Sequence, residues 1–165
     1  VSAAVLVGLL LTLPAPTLPF LLAALTTNAL MLGALLLGEE KSAPAELLAP
    51  VALSAWVMPI LLHGGDSAVG ALASWLVWSL GYGLTTLAVR SITHRAGSWW
   101  RGCVGGLCVA ATLGAIWAPG LAALVPLSAA GAIIALFIAS PRSIRATGWA
   151  LVAASCATAL LLVVG

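Results

Sequence analysis

Charge is nearly absent from this chain, and where it occurs it is confined to short breaks. Residues 1–38 carry no Asp, Glu, Lys or Arg, nor do 47–65, 67–89, 102–141 or 146–165. A water-facing domain carries about 25% charged residues; here the figure is 6%, against 63% hydrophobic and a mean hydropathy of +1.22. Lipid must therefore surround most of the chain, and in lipid the backbone has to satisfy its own hydrogen bonds. The expected fold class is all-α, a polytopic transmembrane helix bundle forming one integral membrane domain over 1–165. The formal net charge of +2 does not argue for nucleic acid as a partner; the bilayer is the partner this composition demands.

The breaks divide the chain into seven expected apolar segments. The first, 1–13, begins inside an apolar run with no basic stretch ahead of it. No signal peptide is read there, and the chain is expected to be a piece of something longer. Pro14-Ala15-Pro16 turns it into 18–37. The next segment, 47–62, is short for a bilayer and contains Pro50 and Pro59; Pro44 and Glu46 suit its first turn. His63-Gly64-Gly65-Asp66 turns into 67–90. A basic stretch follows, in which Trp99 and Trp100 beside Arg101 read as an interfacial anchor. Segment 102–118 is joined by Pro119-Gly120 to 121–139, and a basic loop leads to 147–164.

Orientation follows from the cations. With seven crossings, 39–46, 90–101 and 140–146 share one side, and 14–16, 63–67 and 119–120 share the other. Lys41, Arg90, Arg95, Arg101, Arg142 and Arg145, the six basic residues of the chain, all fall in the first set. The positive-inside rule makes those loops cytoplasmic and puts the carboxyl end outside the inner membrane.

Segment 67–90 has two faces. Winding at roughly 100° per residue gathers Ser74, Trp75, Trp78, Ser79, Tyr82, Thr85, Thr86 and Arg90 in one sector. Ala73, Leu76, Val77, Leu80, Leu84, Leu87 and Ala88 fill the opposite one. The polar sector is expected to face the bundle interior and the leucine-rich sector lipid. If the polar sector lines a cavity, its candidate ligand-lining residues are Trp78, Tyr82, Thr86 and Arg90, joined by Asn28 from the middle of 18–37. Each also has a plainer role. Asn28 suits hydrogen-bonded glue between helices, worth about 0.6–2 kcal/mol. Arg90 can snorkel to the headgroups, and the aromatic rings can pack against another helix.

Other chemistry is thin. His63 and Asp66 are too few for a metal site, and Cys103, Cys108 and Cys156 read as small apolar filler. No catalytic, cofactor-binding or metal residue is assigned. Gly106, Ala110 and Gly114, and likewise Ala150, Ala154 and Thr158, form ladders of small residues that are expected to meet neighbouring helices.

Two stretches carry a family resemblance. Leu87-Ala88-Val89-Arg90-Ser91-Ile92 runs into a basic loop, and Pro141-Arg142-Ser143-Ile144-Arg145 is followed by Gly148-Trp149-Ala150-Leu151. With the order of spans from about Asn28 onward, covering roughly the last 135 residues, the chain resembles the YwiC-like family of bacterial integral membrane proteins. The family's amino-terminal His-Gly-Ala-Trp stretch is absent, and its usually basic loop after the second span here reads Gly38-Glu39-Glu40-Lys41. The resemblance implies a multi-spanning architecture and brings no activity with it.

Three function classes remain. One is binding or transport of a small solute on the polar face of 67–90. Another is a membrane-embedded enzyme acting on a lipid-like substrate. Thr86-Leu87-Ala88-Val89-Arg90 resembles a segment of UbiA-type prenyltransferases, whose chemistry needs aspartate-rich pairs to hold Mg²⁺. This chain has one aspartate, Asp66, so an enzyme is the less favoured class. The third is a structural subunit whose polar face meets a partner membrane protein.

Overall fold

The computed structural model describes residues 17–39, 42–93, 97–138 and 144–164. All regular structure among them is helical: α1 (Thr17–Leu36), α2 (Ala43–Ser54), α3 (Val57–His63), α4 (Ala68–Thr93), α5 (Ser98–Trp117), a 3₁₀ turn (Pro119–Leu124), α6 (Val125–Phe137) and α7 (Ile144–Val164). α2 and α3 together form one span, Pro44–His63, and the 3₁₀ turn extends α6 into another. Among the described residues, six helices are thus long and apolar enough to cross a membrane. The segment expected at 1–13 lies outside the described residues. The fold is an all-α bundle of the multi-spanning kind.

The helix ends are written locally. α1 stops at Gly38, which takes φ +73° while Glu39 N–H reaches Ala34 O and Gly38 N–H reaches Leu35 O. The same pair of bonds closes α3: Gly65 takes φ +93°, Asp66 N–H donates to Leu61 O and Gly65 N–H to Leu62 O. A left-handed residue after the last turn suits glycine, and both ends are Schellman caps. Asp66 thereby belongs to a turn, and His63 and Asp66 are both exposed. Ser42 caps α2, its Oγ accepting from Ala45 N–H at 3.3 Å, with Pro44 and Glu46 in the first turn as expected. The α2–α3 break at Ala55 and Trp56 lies four residues before Pro59, which has no N–H to offer the Ala55 carbonyl.

Several boundaries differ from expectation, among them the start of α7 at Ile144 rather than at 147. α4 continues to Thr93, and α5 begins at Ser98, so Trp99, Trp100 and Arg101 form its first turn and not a loop. A charge marks the edge of an apolar run, but it ends no helix when its side chain finds an acceptor, as Arg101 does below.

By its contacts the chain divides into two compact units, Val1–Trp75 and Leu76–Gly165, with the boundary inside α4. In the first, α1 packs on α2 and on α3, around small buried residues that include Ala24, Ala45, Ala52 and Ala55. In the second, α6 is the enclosed helix, with seven of its 13 residues buried. Leu84, Ala88 and Ile92 meet Val104, Cys108, Ile134 and Ala135 in one cluster. Val77, Ala115, Ala123 and Leu124 form another.

α5 and α6 form an antiparallel hairpin whose register centres on Gly120. Arg101 meets Ile138, Gly105 meets Leu136, Cys108 meets Gly131 and Thr112 meets Ser128, each pair centred there to within one residue. At Gly105 the approach is so close that a Cβ would fall 2.4 Å from Leu136 Cδ2.

This register overturns one expectation. The face of α5 turned inward carries Val104, Gly105, Cys108 and Ala115, whereas Gly106, Ala110 and Gly114 are exposed. A Cβ at Gly106 or Gly114 would meet nothing within 4 Å. Two stripes of small residues run along α5 one residue apart, and the shape of α6 selects between them. On α7, Ala154 and Thr158 of the other ladder are buried and Ala150 is not.

The two-sector division of α4 is also corrected. Ser79 and Thr85 of the polar sector are buried and Leu80 of the leucine-rich one is exposed, as expected, but Val77, Leu84 and Ala88 of the leucine-rich sector are buried as deeply. Without a hydrophobic drive in lipid, side-chain fit decides what faces inward. Thr85 needs no external partner, because its hydroxyl lies 3.1 Å from Gly81 O and 3.0 Å from Tyr82 O.

Candidate functional site

The five candidate residues are divided between the two units. Asn28 belongs to the first unit, while Trp78, Tyr82, Thr86 and Arg90 belong to the second.

Asn28 sits twelve residues into α1. Its amide Nδ2 donates to Ala24 O at 2.8 Å, within its own helix, and to Ala52 O at 2.9 Å on α2. An amide in a span must find acceptors. Here one bond steadies the rotamer and the other fastens α1 to α2 just before the helix break. Both N–H groups are engaged in packing the unit.

On α4 the four remaining candidates follow one another at four-residue spacing, so they climb one gently drifting stripe. All four are half-buried. Trp78 and Tyr82 stack, with ring centroids 5.3 Å apart and an interplanar angle of 18°. Both rings lie against a cluster of Leu127, Ala130 and Ala154, with Leu151 alongside. The Tyr82 hydroxyl donates to Ser155 Oγ at 3.2 Å, and Ser155 Oγ–H donates onward to Leu151 O at 2.8 Å. A phenol deep in a span thus donates into a two-step hydrogen-bond chain that ends on a backbone carbonyl of α7. The chain is satisfied within the protein, so it fastens α4 to α7. Thr86 lies one turn beyond Tyr82, and Arg90 occupies the last turn of the helix.

Two further polar clamps escaped the reading by residue type. Thr112 of α5 and Ser128 of α6 place their hydroxyls 2.9 Å apart, and Ser128 Oγ–H donates to Leu124 O at 2.9 Å. The second clamp is Arg101. Its Nε donates to Ala135 O at 3.1 Å and its Nη2 to Ile138 O at 2.9 Å. These are carbonyls from the last turn of α6 and its C-cap, where the helix dipole is negative and orphan acceptors need donors. The planar guanidinium reaches two of them at once, which an ammonium cannot do with the same geometry. A signal for both clamps existed in the sequence: folding 98–138 about Gly120 places Thr112 opposite Ser128 and Arg101 opposite Ile138. Ser155 carried no comparable signal, because nothing local pairs α7 with α4.

Among the described residues, no group of three or more His, Cys, Asp or Glu side chains could hold a metal ion. The three cysteines are free thiols, Cys108 buried, Cys103 and Cys156 exposed. Comparison of the chain with family models, with curated proteins and with solved structures finds no match in any of the three.

Proposed function

We propose that this chain has a structural role in the membrane, its intramembrane polar side chains holding its own helices to one another. The observation that carries this is the Tyr82 hydroxyl. It is the group of the α4 stripe best suited to touch a ligand, and it is bonded to Ser155 while its ring stacks on Trp78 against Leu127, Ala130 and Ala154. Asn28 and Arg101 are engaged in the same way. The resemblance to YwiC-like proteins supports a place in a bacterial inner membrane. The segregation of cations supports cytoplasmic loops at 39–46, 90–101 and 140–146, with the carboxyl end outside.

Binding of a small solute along the same stripe is the second reading. Its support is that Trp78, Tyr82, Thr86 and Arg90 are each half-buried and so keep some accessible surface in sequence down one helix. One experiment separates the two. The full chain is reconstituted in nanodiscs and its tryptophan fluorescence is followed during titration with a panel of small ions, amino acids and sugars. A structural role predicts no saturable response, and it predicts that Tyr82→Phe and Ser155→Ala lower stability with a coupling of about 0.5–1.5 kcal/mol. A saturable response abolished by Tyr82→Phe, in a variant of unchanged stability, would establish solute binding instead.

A further inference from the structure

The span Pro44–His63 is broken at its middle, between α2 and α3, and proline does not account for the whole break. Pro59 has no N–H for the Ala55 carbonyl, and its ring pushes that carbonyl aside. The helical ladder stops earlier than this. Ala55 N–H still reaches Val51 O at 3.0 Å, and bonding resumes where Ile60 N–H reaches Trp56 O at 3.3 Å. Between them, the N–H groups of Trp56 and Val57 find no acceptor among the described residues. In an α-helix the acceptor for Trp56 N–H is the carbonyl of Ala52, three residues ahead of the carbonyl that the proline ring meets.

Asn28 stands at that carbonyl instead. Its Nδ2 lies 2.9 Å from Ala52 O and 2.8 Å from Ala24 O. A side chain inserted into the i→i−4 ladder breaks or kinks a helix. The close approach is made by small residues, since Ala24, Ala52 and Ala55 are all buried and carry only a methyl group. α1 packs on α2 and on α3, so it braces both halves while its amide occupies the joint.

The joint is nearly helical. Ala55 has φ −59° and ψ −25°, and Trp56 has φ −70° and ψ −18°. A rotation of roughly 20° about each ψ separates these values from those of a regular helix. At Ala52 O the exchange is one donor for another. When Asn28 leaves, it keeps its bond to Ala24 O, and Trp56 N–H takes the vacated carbonyl.

We infer that Asn28 is the latch of a hinge in this span. Its amide holds Ala52 O and keeps the helix broken; its release lets Trp56 N–H bond the same carbonyl, and α3 turns against α2 as the ladder closes. The hinge lies wholly within the first unit, so it stands apart from the role of the Tyr82 stripe.

The test is amide hydrogen exchange on the full chain in detergent micelles, labelled with nitrogen-15 at tryptophan and read by NMR. The signal lost in Trp56→Phe identifies the Trp56 amide, and the Trp78 amide, inside α4, serves as the bonded reference and shows that the fold is kept. A bonded amide exchanges only when its helix opens, so Trp56 in the unaltered chain should exchange about tenfold or more faster than Trp78. In Asn28→Leu it should slow by about tenfold as Ala52 O becomes its acceptor, although α1 has lost its tie to α2. Pro59→Ala leaves both Asn28 bonds in place, and there Trp56 should stay fast even though the Ala55 carbonyl regains a donor; this arm decides the matter where Asn28→Leu unfolds the unit. Exchange of Trp56 as slow as that of Trp78 in the unaltered chain would overturn the latch, because the ladder would then be intact. So would undiminished exchange in a folded Asn28→Leu, or slowing in Pro59→Ala, which would assign the break to proline alone.

Discussion

Gly81→Ala is the sharpest probe of how this bundle is held. A Cβ at Gly81 would stand 2.5 Å from Leu127 Cδ1, 3.0 Å from its Cβ and 3.3 Å from its Cγ. Leu127 is fully buried at 0% exposure. Its Cδ1 could rotate away only into other core atoms, and its Cβ moves only with the backbone of α6. Overpacking of a filled core typically destabilises by about 1–3 kcal/mol, and this contact belongs at the upper end. Against that, alanine is the better helix former by about 1 kcal/mol. The net expectation is a loss of about 1–2 kcal/mol. Gly83→Ala is the internal control, since a Cβ there meets nothing within 4 Å and only the propensity gain of about 1 kcal/mol remains. The two variants, two residues apart on one helix, should differ by about 2–3 kcal/mol with opposite signs. Equilibrium unfolding in mixed detergent micelles, followed by tryptophan fluorescence, measures both. Placing Gly81→Ala in a Leu127→Ala background should recover about 1 kcal/mol of the clash, although Leu127→Ala itself leaves a cavity. If Gly81→Ala is as stable as Gly83→Ala, α4 does not approach α6 at this point and the register of the second unit is wrong.

The remaining expectations are simpler. Gly106→Leu and Gly114→Leu should raise the stability of the isolated chain by up to about 1 kcal/mol, because both face outward and only the gain in helix propensity remains, while Gly105→Leu should destabilise it by about 1–3 kcal/mol; an unfolding midpoint that drops for Gly106→Leu alone would reverse the assignment of the buried stripe. Asn28→Leu should lower stability by about 1 kcal/mol through loss of the bond to Ala52 O, read in the same micelle assay, and an unchanged midpoint would show that the bond contributes nothing. Cysteines placed at Ser42 and Ser98 in a background without native cysteines should resist an impermeant thiol reagent added outside intact cells, and labelling of either would refute the proposed orientation.

What the sequence determined by itself is everything that depends on the solvent or on neighbours along the chain. The uncharged runs specify spanning helices because an unsatisfied peptide group is intolerable in hydrocarbon. Gly38, Gly65 and Ser42 specify helix ends because left-handed backbone and an orphan N–H each need one residue type at one place. Pro119-Gly120 brings α5 and α6 together, and with it the pairing of Thr112 with Ser128. Tertiary structure decided which side of each helix faces inward. In water a hydrophobic gradient answers that question; in lipid Leu80 and Leu84 are equally soluble, and the choice passes to fit between surfaces. That is why the inward stripe of α5 is Gly105 and Cys108, shaped to Leu136 and Gly131, and not the equally regular Gly106, Ala110 and Gly114. It is also why Val77 and Ala88 are buried beside Thr85, whose hydroxyl is satisfied by its own helix and gives no direction. The partner of Tyr82 could come only from the fold, since Ser155 lies 73 residues away and is brought within reach by the packing of α7.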